Sequence, residues 1–327
     1  MQVQQVRNVN AIDILCFDVG NRYTKWIVRD NSYKIPSYVH ELEDYQDQLV
    51  VDKSSVIIEN SEGRFAIGNL AKELGGKPAF QGNKAEFAKL LILAGISPVN
   101  GNSYPVKIQT LRLALPDSRN EENRSILNSL VGTHAVVRNG KHFTYEIGSV
   151  EIIDECVGAY RYCKHNKSPE LLQYIDAGIP NAIIDCGGGT VLGRVFSPTG
   201  NLLRDLDFKL PGTFALAGAV AAALAPKFSY TPSLDSIMDA IADNSFTLGS
   251  PGVDFAKEYQ RAHQRWFDNI RATARTAWKQ KFDEIGEVLI IGGSAPLLNS
   301  WQVLTKGRVK VAVNHQFLGV KGMNLEV

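Results

Sequence analysis

Two short segments of this chain combine a carboxylate, glycines and hydroxyls at the end of an apolar run. The first follows Ile14–Phe17 and reads Asp18-Val19-Gly20-Asn21, with Thr24 and Lys25 close behind. An aspartate that ends a buried strand sits at a sheet edge, where it can hold a hydrated Mg2+. The glycine after it lets the backbone turn tightly and aim N–H groups at phosphate oxygens. Thr24 and Lys25 can add a hydroxyl and a positive charge. A hairpin closed by an Asp turn, with a snorkelling lysine, is the plainer alternative. The second segment is Asp185-Cys186-Gly187-Gly188-Gly189-Thr190. Each glycine costs roughly 0.5–1 kcal/mol of backbone entropy against alanine, and a plain turn needs one or two. Three in a row point to a guest that approaches the backbone closely, such as a polyphosphate; a flexible turn is the plainer alternative.

Two more segments carry chemistry. Val288–Ile291 runs into Gly292-Gly293-Ser294, where small residues let a planar ring lie on the backbone and a following helix N-terminus favours an anion. A glycine-rich strand-to-helix connection is the alternative. Glu155 stands in Asp154-Glu155-Cys156-Val157-Gly158, where strand periodicity gives way to helix. It can complement a helix dipole, or orient and deprotonate a water that attacks a phosphate. Other chemistries lack their residues. No GxxxxGK[ST] loop occurs. Gly187–Gly189 runs into β-rich sequence with the next glycine one position too far for a dinucleotide fingerprint. The six histidines show no HxxxH or HxH spacing, and the four cysteines no CxxC pair.

The elements that must position these groups echo one another. Ile14–Val28 and Ala182–Phe196 each read as a buried strand, an Asp-x-Gly turn and a returning strand, and their aspartates lie 167 positions apart in 327 residues. Duplicated α/β halves are therefore expected. Between the echoes, strand patterns cover Val56–Glu59, Arg64–Ile67 and Val106–Leu115, and His142–Ile153 alternates as a strand pair. Helical patterns cover Lys84–Ala94 and Glu121–Leu130, the latter with Ser118–Asn120 as cap candidates. In the second half, helices are expected at Pro211–Ala225, opened by Gly212 and Thr213, and at Pro232–Asp243 and Phe255–Phe282. Ser245–Asp254 reads as a loop and Val288–Ile291 as a buried strand. Phe255–Phe282 carries Lys257, Arg261, Arg265, Arg271, Arg275, Lys279 and Lys281 against few acids. Such a face is either solvated or an inter-subunit or nucleotide-proximal surface.

Composition bounds the class. With 44% hydrophobic and 21% charged residues the chain is globular, and its length suits about two domains. A net charge of +1 argues against direct, field-driven binding of nucleic acid or acidic membranes and leaves a local basic patch open. No apolar run is long enough for a membrane span, and Met1–Asn10 lacks the apolar core of a signal peptide. The cysteines read as buried, reduced thiols, which suits a cytoplasmic protein.

The order of these motifs resembles that of the actin/Hsp70/sugar-kinase ATPase superfamily. Asp18–Lys25 looks like its first phosphate motif, Ile153–Gly158 its first connecting motif and Asp185–Thr190 its second phosphate motif. Ile290–Ala295 looks like the adenosine motif and Leu318–Met323 the second connecting motif. Lys34-Ile35-Pro36-Ser37, Ala66–Ala71 and Leu113–Pro116 are similar to the first domain of ParM/StbA-type plasmid-segregation proteins. The resemblance implies an actin-like fold, with two duplicated RNase H-like domains flanking a nucleotide cleft. Domain I would be residues 1–156, with 313–327 returning to it, and domain II residues 157–312.

The resemblance also implies an ATPase that forms head-to-tail filaments of itself, destabilised by hydrolysis, with a DNA-binding adaptor as a partner. ATP, or GTP as an alternative, and Mg2+ would be the cofactors. Asp18 and Asp185 would hold Mg2+ through water. Gly20, Asn21, Thr24, Lys25, Gly187, Gly188, Gly189 and Thr190 would cradle the phosphates, and Glu155 would activate the water. Gly212, Thr213, Gly292, Gly293 and Ser294 would face the nucleoside. Leu192 departs from the family, which carries an acid seven positions after the second aspartate. A small-molecule, sugar-type kinase and a non-polymerising nucleotide sensor are the alternative functions within the superfamily.

Overall fold

The computed structural model describes residues 11–28, 31–46, 48–79, 84–97, 105–228, 231–249, 252–279 and 281–325. The Met1–Asn10 reading lies outside them. The chain divides into two compact units, Met1–Gly158 with Val320–Val327, and Ala159–Gly319.

The first unit holds strands β1 (Ala11–Val19), β2 (Tyr23–Val28), β3 (Asn31–Pro36), β4 (Tyr38–Glu41), β5 (Ser55–Asn60), β6 (Gly63–Gly68), β7 (Lys77–Pro78), β8 (Val106–Leu115), β9 (Gly132–Arg138) and β10 (Lys141–Asp154). They form one sheet in the order β3-β2-β1-β8-β10-β9-β5-β6-β4-β7. Three of these strands, β1, β8 and β10, run parallel at its centre. Parallel strands are covered on both faces, so Leu15, Cys16 and Phe17 are buried in unbroken succession. Helices α1 (Asn69–Glu73), α2 (Lys84–Gly95) and α3 (Glu121–Asn128) complete this part. Leu91, Ile92 and Leu127 enter the same core as Phe17 and Ile108. As the polar run before it suggested, α3 is capped: the Asn120 side chain accepts from the Asn123 amide.

Helix α4 (Val157–His165) leads out of the first unit. The second unit holds β11 (Asn181–Cys186), β12 (Thr190–Phe196), β13 (Phe208–Pro211), β14 (Thr247–Leu248), β15 (Val253–Asp254), β16 (Val288–Ile291) and β17 (Val309–Val311). Its helices are α5 (Thr213–Leu224), α6 (Leu234–Ala242), α7 (Ala256–Ala277) and α8 (Asn299–Leu304), and α9 (Leu318–Met323) carries the chain back. The main sheet runs β13-β12-β11-β16-β17. Its directions repeat those of β3-β2-β1-β8-β10: two antiparallel steps, then two parallel ones. The echo read from the two Asp-x-Gly segments is thus an echo of five strands.

Some expectations change. His142–Ile153 is not a strand pair but lies within the single strand β10, whose antiparallel partner is β9. Asn139 and Gly140 both have positive φ, 48° and 75°, the pattern of a two-residue hairpin turn between them. Ser245–Asp254 is not all loop, since β14 and β15 pair within it. The long helix stops at Ala277 rather than Phe282. Trp278 is buried there, its indole N–H donating to the Leu206 carbonyl. Cys16, Cys156, Cys163 and Cys186 are all buried and form no disulfide, and burial pushes the Cys163 thiol up to about 11. Among the described residues, no helix is long and apolar enough to cross a membrane.

Arg112 on β8 ties α9 to the first unit. Buried, it donates to the Met323 carbonyl and pairs with Glu151 on β10 at 2.8 Å. Arg112→Ala would leave that carbonyl unsatisfied and remove the packed stem, so it is expected to lower stability by about 2 kcal/mol. Urea denaturation checks this.

Candidate functional site

Each hairpin places its aspartate at the carboxyl end of a central strand. In the first, Asp18 faces Lys25 across the ladder, and in the second Asp185 faces Leu192 at the same seven-residue offset. The turns are built alike: a Cβ on Gly20 would stand 2.7 Å from the Tyr23 carbonyl oxygen, and one on Gly187 3.1 Å from that of Thr190. Their chemistry differs. Lys25 Nζ donates to Asp18 Oδ2 at 2.7 Å with both side chains largely buried, whereas Leu192 is a buried apolar side chain.

Thr24, expected among the phosphate ligands, is fully buried. Ser37 Oγ donates to the Gly20 carbonyl at 2.7 Å, so the Thr24 hydroxyl donates in turn to Ser37 Oγ at 2.9 Å. The Ser37 amide donates to the Arg22 carbonyl. Thr24 and Ser37 therefore brace the Gly20–Arg22 turn from behind, while Asn21 lies half-buried within it. The parallel strands β1, β8 and β10 end at the same sheet edge, which brings Glu155 to the edge that carries Asp18. The Glu155 amide donates to the Leu115 carbonyl at 2.8 Å. Beside it, the Asp154 carboxylate accepts from both the amide and the hydroxyl of Ser118. Next in the chain, Cys156 is buried with φ 74°, a left-handed conformation that a side chain adopts at some strain.

In the second hairpin the three glycine carbonyls are turned onto the start of α5. Gly189 O accepts from the Gly212 amide, Gly188 O from Phe214 and Gly187 O from Thr213, at 2.9, 2.8 and 3.3 Å. These bonds satisfy amides that a helix start leaves without partners. Among the described residues, no acceptor bonds the amides of Gly188 and Gly189, which are half-exposed. The contact leaves no room at Gly212, where a Cβ would lie 2.4 Å from Gly187 O and 2.6 Å from Gly188 O. Thr213 and Ser294 are buried and share a 3.0 Å hydroxyl bond, joining α5 to the loop after β16. In that loop Gly292 has φ 96°, and a Cβ there would stand 2.3 Å from Asp185 Oδ1.

His315 fixes the loop from the other side. Its carbonyl accepts from the Gly292 amide at 2.8 Å, and its Nδ1 donates to the Gly292 carbonyl at 2.6 Å. Asp185, Gly187–Thr190, Gly212, Thr213 and Gly292–Ser294 therefore share one edge of the second unit. Asp18, Gly20, Asn21, Lys25 and Glu155 share one edge of the first. The sequence pattern assigned no role to Asp154 or His315, offered Ser118 only as a helix-cap candidate, and included Ser37 only within a quoted motif. Among the described residues, no three His, Cys, Asp or Glu side chains converge as metal donors. Single hard carboxylates beside glycine turns suit a Mg2+ ion that keeps its waters.

Residues 16–158 match the family described as "Actin like proteins N terminal domain". The chain is similar to Ta0583, an archaeal actin homolog, with a TM-score of 0.77 at 16% identity over 95% of this chain and 98% of the other. It is equally similar to a ParM from a 15-stranded filament of Clostridium botulinum, with a TM-score of 0.77 at 17% identity over 95% and 98%.

The fold is actin-like.

A third actin-like structure, Alp7A, gives a TM-score of 0.73 at 18% identity over 96% and 95% of the two chains. No curated protein matches in sequence. The resemblance to ParM-type actin-like proteins, read from the motifs, is borne out by these matches.

The packing around the glycines predicts opposite outcomes for one substitution. Gly212→Ala and Gly292→Ala are each expected to lower stability by about 1–3 kcal/mol, through overpacking and, at Gly292, a strained φ. Gly218 in the middle of α5 has open space around it, so Gly218→Ala should raise stability by roughly 0.5–1 kcal/mol. Urea midpoints of the three variants measure both signs.

Proposed function

We propose that this chain is an ATP-dependent, filament-forming actin-like protein that acts in DNA segregation or as a cytoskeletal element. The observation that carries this reading is the repeated hairpin: the same strand order, turn and edge aspartate stand in both units of an actin-like fold. Two similar structures lend support, since one is an archaeal actin homolog in complex with ADP and another a ParM filament.

In this reading the amides of Gly188 and Gly189 donate to phosphate oxygens, as do those of the Gly20–Asn21 turn. Lys25, beside Asp18 at 2.7 Å, would add its positive charge to the phosphate site. Asp18 and Asp185 would hold Mg2+ through water, and the ion would supply positive charge against the phosphates. Gly212 and Gly292–Ser294 form the surface against which the nucleoside lies, and Thr213 and Ser294 keep it rigid through their mutual bond. Glu155, braced by its amide bond to Leu115, orients and deprotonates the attacking water. Leu192 stands where the resemblance implies an acid, so hydrolysis is slow relative to assembly. Any DNA cargo is reached through a separate adaptor.

Adding ATP and Mg2+ to the purified protein should raise right-angle light scattering, followed by decay as phosphate is released. Glu155→Ala is expected to slow phosphate release about 10²-fold while nucleotide affinity stays within about threefold, so its scattering signal should persist. Release at the normal rate would remove Glu155 from the mechanism. Phosphorylation of a sugar panel without assembly would replace the filament reading with a kinase.

A further inference from the structure

Two surfaces of opposite charge lie outside the nucleotide residues. The first is on α7. This helix buries Trp266, Phe267, Ile270 and Ala274 and exposes Lys257, Arg261, Arg265 and Arg275 on its other side, with Lys279 just beyond. Lys257, Arg261 and Arg265 are four residues apart, so they form a stripe with a cation about every 6 Å. The acids of the helix are already engaged, Glu258 by Lys227 at 2.9 Å and Asp268 by Arg271 at 3.5 Å. Among the described residues, none of the five exposed cations forms an ion pair. Like charges at this spacing destabilise a helix, so the stripe serves no purpose within its own element.

The second surface follows β4 in the first unit. Glu41, Glu43 and Asp44 are exposed and form no ion pair among the described residues. Tyr45 between them and the following turn is 80% exposed. The segment is nonetheless held from within. Leu42 is buried, Leu49 and Val51 pack on the same cluster, the Leu42 amide donates to the Arg64 carbonyl, and Arg64 donates to the Gln46 carbonyl. An exposed aromatic ring among carboxylates, on a segment anchored at Leu42, is what an arginine recognises, through charge and through stacking on the ring face.

We propose that the α7 stripe of one copy docks on the Glu41–Tyr45 surface of a second copy, forming an assembly contact. This rests on the filament reading above. Charge complementarity within a chain of net charge +1 selects a second copy over a nucleic acid.

The test is charge reversal scored by the critical concentration for assembly with ATP and Mg2+. Arg261→Glu/Arg265→Glu and Glu43→Lys/Asp44→Lys are each expected to raise it at least about tenfold, and an equimolar mixture of the two variants should recover assembly, because each supplies the surface the other has reversed. Raising salt should weaken wild-type assembly. If the wild type assembles and both variants assemble equally well, the contact is wrong while the filament reading stands. Failure of the wild type with either ATP or GTP removes both. Circular dichroism and ATP binding unchanged from wild type exclude misfolding. Retention of duplex DNA that the arginine reversal abolishes, with assembly unaffected, would overturn the proposal in favour of a nucleic-acid surface.

Discussion

The tri-glycine turn and the start of α5 must satisfy each other, and much of the second unit is arranged around that contact. A helix start leaves amide donors without partners, and here three successive turn carbonyls accept from Gly212, Thr213 and Phe214. No side chain fits in such a contact, so Gly212 must be a glycine. With its carbonyls bonded to the helix, the turn leaves the amides of Gly188 and Gly189 without a protein acceptor among the described residues. A backbone that gives its acceptors to the protein and keeps its donors outward is suited to an anion.

The first unit solves the same problem with side chains. Ser37 and Thr24 hold the Gly20–Arg22 turn, and Lys25 covers Asp18. The hairpins are equivalent in register and unequal in charge: a lysine opposes one aspartate and a leucine the other. In the proposed nucleotide site the first hairpin would compensate phosphate charge directly and the second through backbone dipoles. Fastenings in the neighbouring connections serve the same edges. Asp154 with Ser118 steadies the strand end that bears Glu155, and His315 secures Gly292 twice. These groups touch the backbone of the site rather than its open face.

Much of this was legible in sequence where one local pattern carries the information. The two Asp-x-Gly hairpins, β16 and the helix opened by Thr213 follow from apolar runs ended by small residues. The β9–β10 pair was not read, although Asn139-Gly140 is a strong turn signal, because β10 continues for 14 residues beyond the turn and masks it. Short strands such as β4 and β7 owe their existence to partners distant in the chain, which no local periodicity records. The same holds for the supporting residues. Ser37 lies 17 positions from the carbonyl it bonds and His315 lies 23 from Gly292. A lone serine or histidine with no spacing pattern gives no warning of such a role.

The central claim is that the glycine turns bind the phosphates of a nucleotide. Isothermal titration of the purified protein with ATP, ADP and adenosine, with Mg2+ and with EDTA, tests it most directly. ATP and ADP should bind saturably, more weakly once Mg2+ is removed, and adenosine, which lacks the phosphates, should bind far more weakly. Adenosine binding as tightly as ATP, or no heat from any nucleoside triphosphate with Mg2+, would contradict it.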